Sequence, residues 1–244
     1  MSQSKDTLNE WLDYILASHP ENVIELGLVR MKRMLERLNI VFDCPVITVA
    51  GTNGKGSTCA MLESIYRAAG YKTAMHTSPH MLRFNERAQI NGKCVEDSLL
   101  VEAFADVEAT RDGMPLTYFE FTALGILKVF QNAKPDVVIL EIGLGGRLDA
   151  INALEPTAGI VTTVGIDHEA YLGNTREAIG WEKAHIYRQR RPAVCADKNP
   201  PVKLVQYAKA LGSNLLLVGR DFSMSEVDAG HMRFHMNDID WVLP

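Results

Sequence analysis

The segment from Val46 to Thr58, VITVAGTNGKGST, runs from a β-branched stretch into a glycine-rich turn that holds one lysine and then opens a helix with two hydroxyls. Glycines let backbone N–H groups converge on an anion, a helix N-terminus adds a favourable dipole, and Lys55 supplies a point charge. The pattern predicts a phosphate cradle in which Ser57 or Thr58 could ligate Mg²⁺. It departs from the common G-x-x-x-x-G-K-[ST] loop, because Val49 stands at the first glycine position and Gly56 where the hydroxyl should follow the lysine. A tight glycine turn with a surface lysine is the plainer alternative.

Four further segments fall at or just past predicted strand ends, the edge where open α/β sheets bind ligands. They are TSPH (77–80), EIGLGGRLDA (141–150), GIDHEAYLGNT (165–175) and, on the following helix, WEKAHIYR (181–188). A hydroxyl from Ser78, the Glu141 carboxylate and the His168 imidazole could share one cation, with nucleotide oxygens and water completing an octahedron. Each also has an ordinary reading: Ser78 as a turn residue before proline, Glu141 as a partner for Arg147, His168 as a loop histidine. The GLGGR run does not complete G-x-G-x-x-G, since Leu148 replaces the third glycine and a polar turn follows, so NAD is rejected.

These loops need a sheet to hold them. Thr7 with Glu10 makes a capping box before an amphipathic helix carrying Leu8, Trp11, Leu12, Ile15 and Leu16. A second helix is expected over about 27–38, a strand over 46–49, a helix over 57–69 and a strand over 72–76. Asn91-Gly92 between short extended runs predicts a hairpin over 87–95. Helices at about 97–111, 117–132, 175–187 and 201–212 alternate with strands at 136–142, 159–164, 193–196 and 214–218, and short strands and turns fill 220–244. Near-continuous apolar strands such as DVVILEI suit a parallel sheet covered on both faces. The fold class is therefore α/β, a largely parallel sheet flanked by helices with a P-loop-like nucleotide site.

Composition limits the function classes. The 244 residues are 47% apolar and 23% charged, enough to bury a core in one large domain. Thirty acidic against 25 basic side chains leave a net charge of −5, the wrong sign for a nucleic-acid partner. The one basic knot, Arg188, Arg190 and Arg191, reads as a solvated loop. Cys44, Cys59, Cys94 and Cys195 show no C-x-x-C spacing and read as reduced cytoplasmic thiols. The N-terminal stretch lacks signal-peptide character, and no apolar run approaches the ~18 residues of a membrane span, so no membrane partner is expected.

Taken together, the loops resemble the folylpolyglutamate synthase and dihydrofolate synthase family, relatives of the Mur ligases. GTNGKGS alone does not separate the two; TSPH with NERAQING, TYFE, LEIGLGGRLDA-x-N and DH-x-x-x-LG-x-T-x-x-x-I-x-x-EKA, in that order, are more specific. The resemblance implies an ATP-dependent ligase that activates the carboxylate of dihydropteroate, or the γ-carboxylate of a folate, as an acyl phosphate for attack by L-glutamate. Thr52, Asn53, Gly54, Lys55, Gly56 and Ser57 would hold the triphosphate, with Ser57 on one Mg²⁺. Ser78, Glu141 and His168 would hold a second, joined by Lys183 in carbamylated form. Lys55, Lys183 and His168 would be the catalytic set; a surface lysine paired with Glu182 is the other reading of Lys183. Thr117, Tyr118, Phe119 and Glu120 with Leu148, Asp149 and Ala150 would hold the pterin, Phe119 stacking on the ring, and His19 would approach the same pocket.

Two positions depart from the family pattern: Ile151 replaces a usual threonine, and His185 replaces the glycine after EKA, near Lys183. The resemblance also implies that residues 1–244 form a Mur-ligase-like ATP-binding domain that stops before its last segment and without the C-terminal domain, which a separate chain could supply. The competing readings are a catalytically incomplete fragment that binds nucleotide or pterin, and a Mur-type ligase of peptidoglycan precursors.

Overall fold

A computed structural model describes residues 5–19, 25–228 and 230–243. The chain opens with α1 (Leu8–Ser18), whose capping box is present, and α2 (Val29–Arg37). There follow β1 (Val46–Ala50), α3 (Lys55–Ala68), β2 (Thr73–His76), β3 (Ala88–Ile90), β4 (Lys93–Cys94), α4 (Asp97–Arg111) and α5 (Tyr118–Ala133). The second half carries β5 (Val137–Glu141), β6 (Ala158–Val161), α6 (Glu169–Leu172), α7 (Arg176–Ala184), β7 (Pro192–Cys195), α8 (Val202–Leu211) and β8 (Asn214–Leu217). Last come β9 (Phe222–Asp228), β10 (His231–Met236) and β11 (Ile239–Leu243).

Eight strands form one sheet in the order β4-β3-β2-β5-β1-β6-β7-β8, parallel throughout except for the β3–β4 hairpin at one edge. The hairpin turns at Asn91 and Gly92, both at positive φ, as its Asn-Gly pair requires. Strands β1 and β5 are buried at every residue, which explains their lack of polar alternation. Helix α3 covers one face, over a small core of Ile47, Val49, Cys59, Met75, Val137 and Ile139. The other helices build the main core on the opposite face, with Phe104, Phe130, Met31 and Tyr187 among its fully buried side chains. All four cysteines are free thiols, and among the described residues no helix is long and apolar enough to cross a membrane.

Some elements differ from their expected bounds for physical reasons. Strand β6 stops at Val161; beyond it the Thr162 N–H still donates to Ala50 O, while the hydroxyls of Thr162 and Thr163 bond Asn53 in the loop after β1. The four-residue α6 was not legible in the sequence; it sits inside the loop that carries His168. Arg188 is not the solvated charge its neighbours suggest: it pairs with Glu155 at 2.6 Å and donates to Asn152 Oδ1 at 3.1 Å.

Strands β9 to β11 form a separate antiparallel sheet. Its register puts Met224, Phe234 and Trp241 in one row and Phe222, Met236 and Ile239 in another on one face, while Ser223, Ser225, Arg233, His235 and Asp240 take the other.

Candidate active site

The C-terminal ends of β1, β2, β5 and β6 meet at one edge of the sheet. The loop after β1 is held there by the backbone and the hydroxyls of Thr162 and Thr163. Thr52 N–H donates to Thr163 O at 2.8 Å, Asn53 N–H to Thr163 Oγ1 at 3.1 Å, and Thr162 Oγ1 donates to Asn53 O at 2.7 Å. Gly51 lies at φ +154, where a Cβ would stand 1.8 Å from Thr162 Oγ1, so only glycine lets the loop approach β6 this closely. Gly54, left-handed at φ +83, turns the chain into α3. Lys55 opens that helix, and its ammonium folds back on Gly51 O at 3.1 Å and Thr52 O at 3.3 Å. Thr58 Oγ1 donates to Gly54 O at 2.8 Å, whereas Ser57 is exposed.

Beside this loop, Glu141 ends β5 with its carboxylate buried. Oε2 accepts Ser78 N–H at 3.1 Å and lies 3.7 Å from where a Cβ on Gly56 would be. Desolvation raises its pKa, opposed by the Ser78 bond and the charge of Lys55. Arg147 does not neutralise it; that guanidinium grips Glu182. Lys183 is likewise not a surface lysine paired with Glu182. It is buried on α7, and desolvation, with repulsion from Lys55, lowers its pKa to about 8 against the pull of Asp167 and Asp149. His168 reaches the edge from the exposed loop after β6, in left-handed backbone conformation, its Nε2 3.6 Å from Asp167.

Among the described residues no three of His, Cys, Asp and Glu converge as a closed metal cage. A single buried carboxylate at an open edge is compatible with a Mg²⁺ that takes most of its oxygens from a nucleotide and water.

A cavity of about 230 Å³ opens next to this edge. Thr117, Tyr118, Phe119 and Glu120 from the start of α5 line it with Leu148, Asp149 and Ala150, and Ser78 and His168 are shared with the cation edge. The polar groups of Thr117 and Glu120 are already engaged. They form the α5 capping box, at 3.1 and 2.9 Å, and Arg30 Nε donates to both Glu120 oxygens. Phe119 is the half-buried aromatic face, tilted against His76 at 6.2 Å. Asp149 is buried and accepts N–H bonds from Leu144 at 2.8 Å and Ile151 at 2.9 Å; desolvation outweighs them and raises its pKa to about 6. His19 does not line the cavity; it stands behind Glu25, its Nε2 3.6 Å from that carboxylate.

Other residues at the site escaped the sequence reading. Thr162 and Thr163 fasten the glycine loop, and the GIVTTV strand hid them among β-formers. Glu25, Leu26 and Gly27 line the cavity from a loop with no motif. Arg87, buried at the cavity wall and bonded to His80 Nδ1 at 2.8 Å, lay within the NERAQING motif without an assigned role. Of the two departures, Ile151 is fully buried in the main core. His185 turns away from the cavity to stack on Tyr207 at 4.1 Å.

A nucleotide-type glycine loop beside a buried lysine and an apolar cavity, on one edge of a parallel sheet, defines a class, and residues 49–237 match the Mur ligase middle domain: the chain belongs to the Mur ligase family. Within it, the chain is 42% identical over 227 residues to the dihydrofolate synthase/folylpolyglutamate synthase of Escherichia coli (strain K12), which covers 93% of this chain and 54% of that relative. The structure of E. coli FolC in complex with DHPP and ADP superposes with a TM-score of 0.94 at 40% identity, over 99% of this chain and 58% of the other. A bifunctional folylpolyglutamate synthase/dihydrofolate synthase with Mn, AMPPNP and L-glutamate bound gives 0.90 at 39% identity, over 98% and 57%. The chain thus spans little more than half the length of the relatives it matches.

Proposed function

We propose that this chain is the ATP- and pteroate-binding part of a cytoplasmic ligase that joins L-glutamate to dihydropteroate, to the γ-carboxylate of folates, or to both. The observation that carries this reading is the adjacency of two sites: Ser78 lines the cavity with Phe119 and Asp149, and its N–H donates to the Glu141 carboxylate that stands beside Gly56 of the glycine loop. In this reading Thr52 to Ser57 hold the triphosphate and the cavity holds the pterin, with its tail directed to the glycine loop. The substrate carboxylate oxygen attacks the γ-phosphorus and ADP leaves, while Lys55 neutralises charge developing on the phosphoryl oxygens. The amine of L-glutamate then attacks the acyl carbon, loses a proton and displaces phosphate.

Ser57 and the group of Ser78, Glu141 and His168 would hold two Mg²⁺, which supply charge neutralisation at the phosphates. Lys183 suits carbamylation: with a pKa near 8, a sizeable fraction of its amine is neutral and able to add CO₂. The product would carry a negative charge where an ammonium would repel a cation. Residues 1–244 would correspond to the ATP-binding domain of the longer relatives.

ADP release by the 244-residue chain with Mg-ATP and dihydropteroate, with and without L-glutamate and bicarbonate, tests this reading. Glutamate-dependent release supports a complete ligase site. A second reading, binding without turnover, predicts dihydropteroate binding with no ADP release. Failure to bind either ligand overturns both.

A further inference from the structure

The loop that lines the cavity at Leu148 to Ala150 is bolted onto the helix that carries Lys183. Arg147 N–H donates to Glu182 O at 3.0 Å, and its guanidinium grips the same residue's carboxylate, Nε and Nη2 to Oε1 at 3.1 and 2.9 Å and Nε to Oε2 at 3.2 Å. The guanidinium also lies 5.1 Å over the Trp181 ring. At Gly146 a Cβ would come within 2.6 Å of Glu182 O and 3.0 Å of Lys183 Cα, so backbone packs directly on backbone. One turn further on, Asn152 Nδ2 donates to His185 O at 3.2 Å, and Arg188 holds Asn152 from behind. The Glu182 side chain is 14% exposed and that of Arg147 37%, so solvent screens part of the charge and the weight of the pair lies in its geometry. A forked guanidinium on a half-desolvated carboxylate fixes direction as well as distance.

We propose that Arg147 is a positioning residue that makes the pteroate-side loop and the Lys183 helix one rigid unit, so that filling the cavity and filling the cation–nucleotide edge favour each other. The contacts flank Lys183 on both sides, at Trp181, Glu182 and His185, and end one residue before Leu148 in the cavity wall. A ligand that immobilises residues 148–150 therefore immobilises α7 at Lys183, and the second ligand meets a helix already ordered. Linkage makes the effect reciprocal. The inference rests on the pteroate reading of the cavity given above.

The test is titration of Mn²⁺–AMPPNP into the 244-residue chain with and without saturating dihydropteroate. In the unaltered chain dihydropteroate tightens nucleotide binding by about tenfold, within the usual range for coupled sites. In Arg147→Ala and in Glu182→Gln the coupling falls to within about twofold of none, while each ligand alone binds nearly as before. Arg147→Lys, which keeps a charge without the fork, lies between. If Arg147→Ala fails to fold, Glu182→Gln carries the test. Equal coupling in the folded variants and the unaltered chain overturns the inference, as does binding of both ligands by the unaltered chain without coupling. Absence of dihydropteroate binding overturns the pteroate reading and the inference with it.

Discussion

The glycine-loop side and the cavity side of the site are built by opposite means. Around the glycine loop the scaffold is loop backbone held by threonine hydroxyls: Gly51 sits against Thr162 with no space for an added carbon, and Asn53 is tied at both its N–H and its carbonyl. Around the cavity it is buried carboxylate: Asp149 gathers the N–H groups of Leu144 and Ile151, and Glu120 ties the α5 cap to Arg30. One side should fail when an atom is added and the other when a few are taken away, so the same size of perturbation separates them.

The largest effect is expected from Gly51→Ala. Its Cβ has to displace the Thr162 side chain, and forced overpacking of this kind costs about 1–3 kcal/mol before backbone strain is added. Lower melting temperature with loss of AMPPNP binding is the expected pair of results; an unchanged melting temperature would break the comparison. Asp149→Ala comes next: two buried N–H groups lose their acceptor at about 1–3 kcal/mol each if nothing else reaches them, and pteroate binding should go while AMPPNP binding persists. Asp149 also has a pH signature. With its pKa raised to about 6, the folded chain keeps a proton that the unfolded chain releases between roughly pH 4 and 6. This group's contribution to stability therefore falls as pH rises through that window, and Asp149→Asn should flatten that part of a melting-temperature profile.

Lys55→Ala should weaken nucleotide binding about ten- to hundredfold, the worth of a charge-assisted hydrogen bond, and barely move the melting temperature. Its ammonium otherwise contacts only loop carbonyls. A ¹³C-carbamate signal from Lys183 in labelled bicarbonate should decline as pH drops below about 8, because the protonated amine cannot add CO₂. A signal that instead grew with falling pH would refute the neutral-amine account. The smallest effect belongs to Thr163→Val, which gives up a side-chain bond at each polar atom of Asn53, a change of about 1 kcal/mol read in unfolding and a modest loss of AMPPNP affinity.

These contrasts explain what could be read in advance. The glycine loop, Lys55 and the strand before them are contiguous, so spacing alone carried the phosphate reading. The α1 cap was legible because Thr7 and Glu10 lie three residues apart. The cavity was not legible from periodicity, since its walls come from segments far apart in the chain, and only the resemblance of their motifs joined them. Partners were harder still. Glu141 and Arg147 are neighbours in sequence, yet Arg147 grips Glu182 from another helix, and nothing in the local pattern announces it. Thr162 and Thr163 looked like strand residues because a hydroxyl that leaves the ladder for a neighbouring loop has the same β propensity as one that stays.

The strand order sets a timetable for synthesis. β1, which leads into the glycine loop, takes both its sheet neighbours from much later in the chain, Val46 pairing with Val138 on β5 and Ile47 with Ala158 on β6. During translation the loop that would grip phosphate emerges early but has no Thr163 to rest on until 110 further residues have been added. Such non-local pairing is slow to form, because loop-closure entropy is lost before the contacts repay it. The nascent glycine loop thus waits, unfastened, for the strand that will hold it.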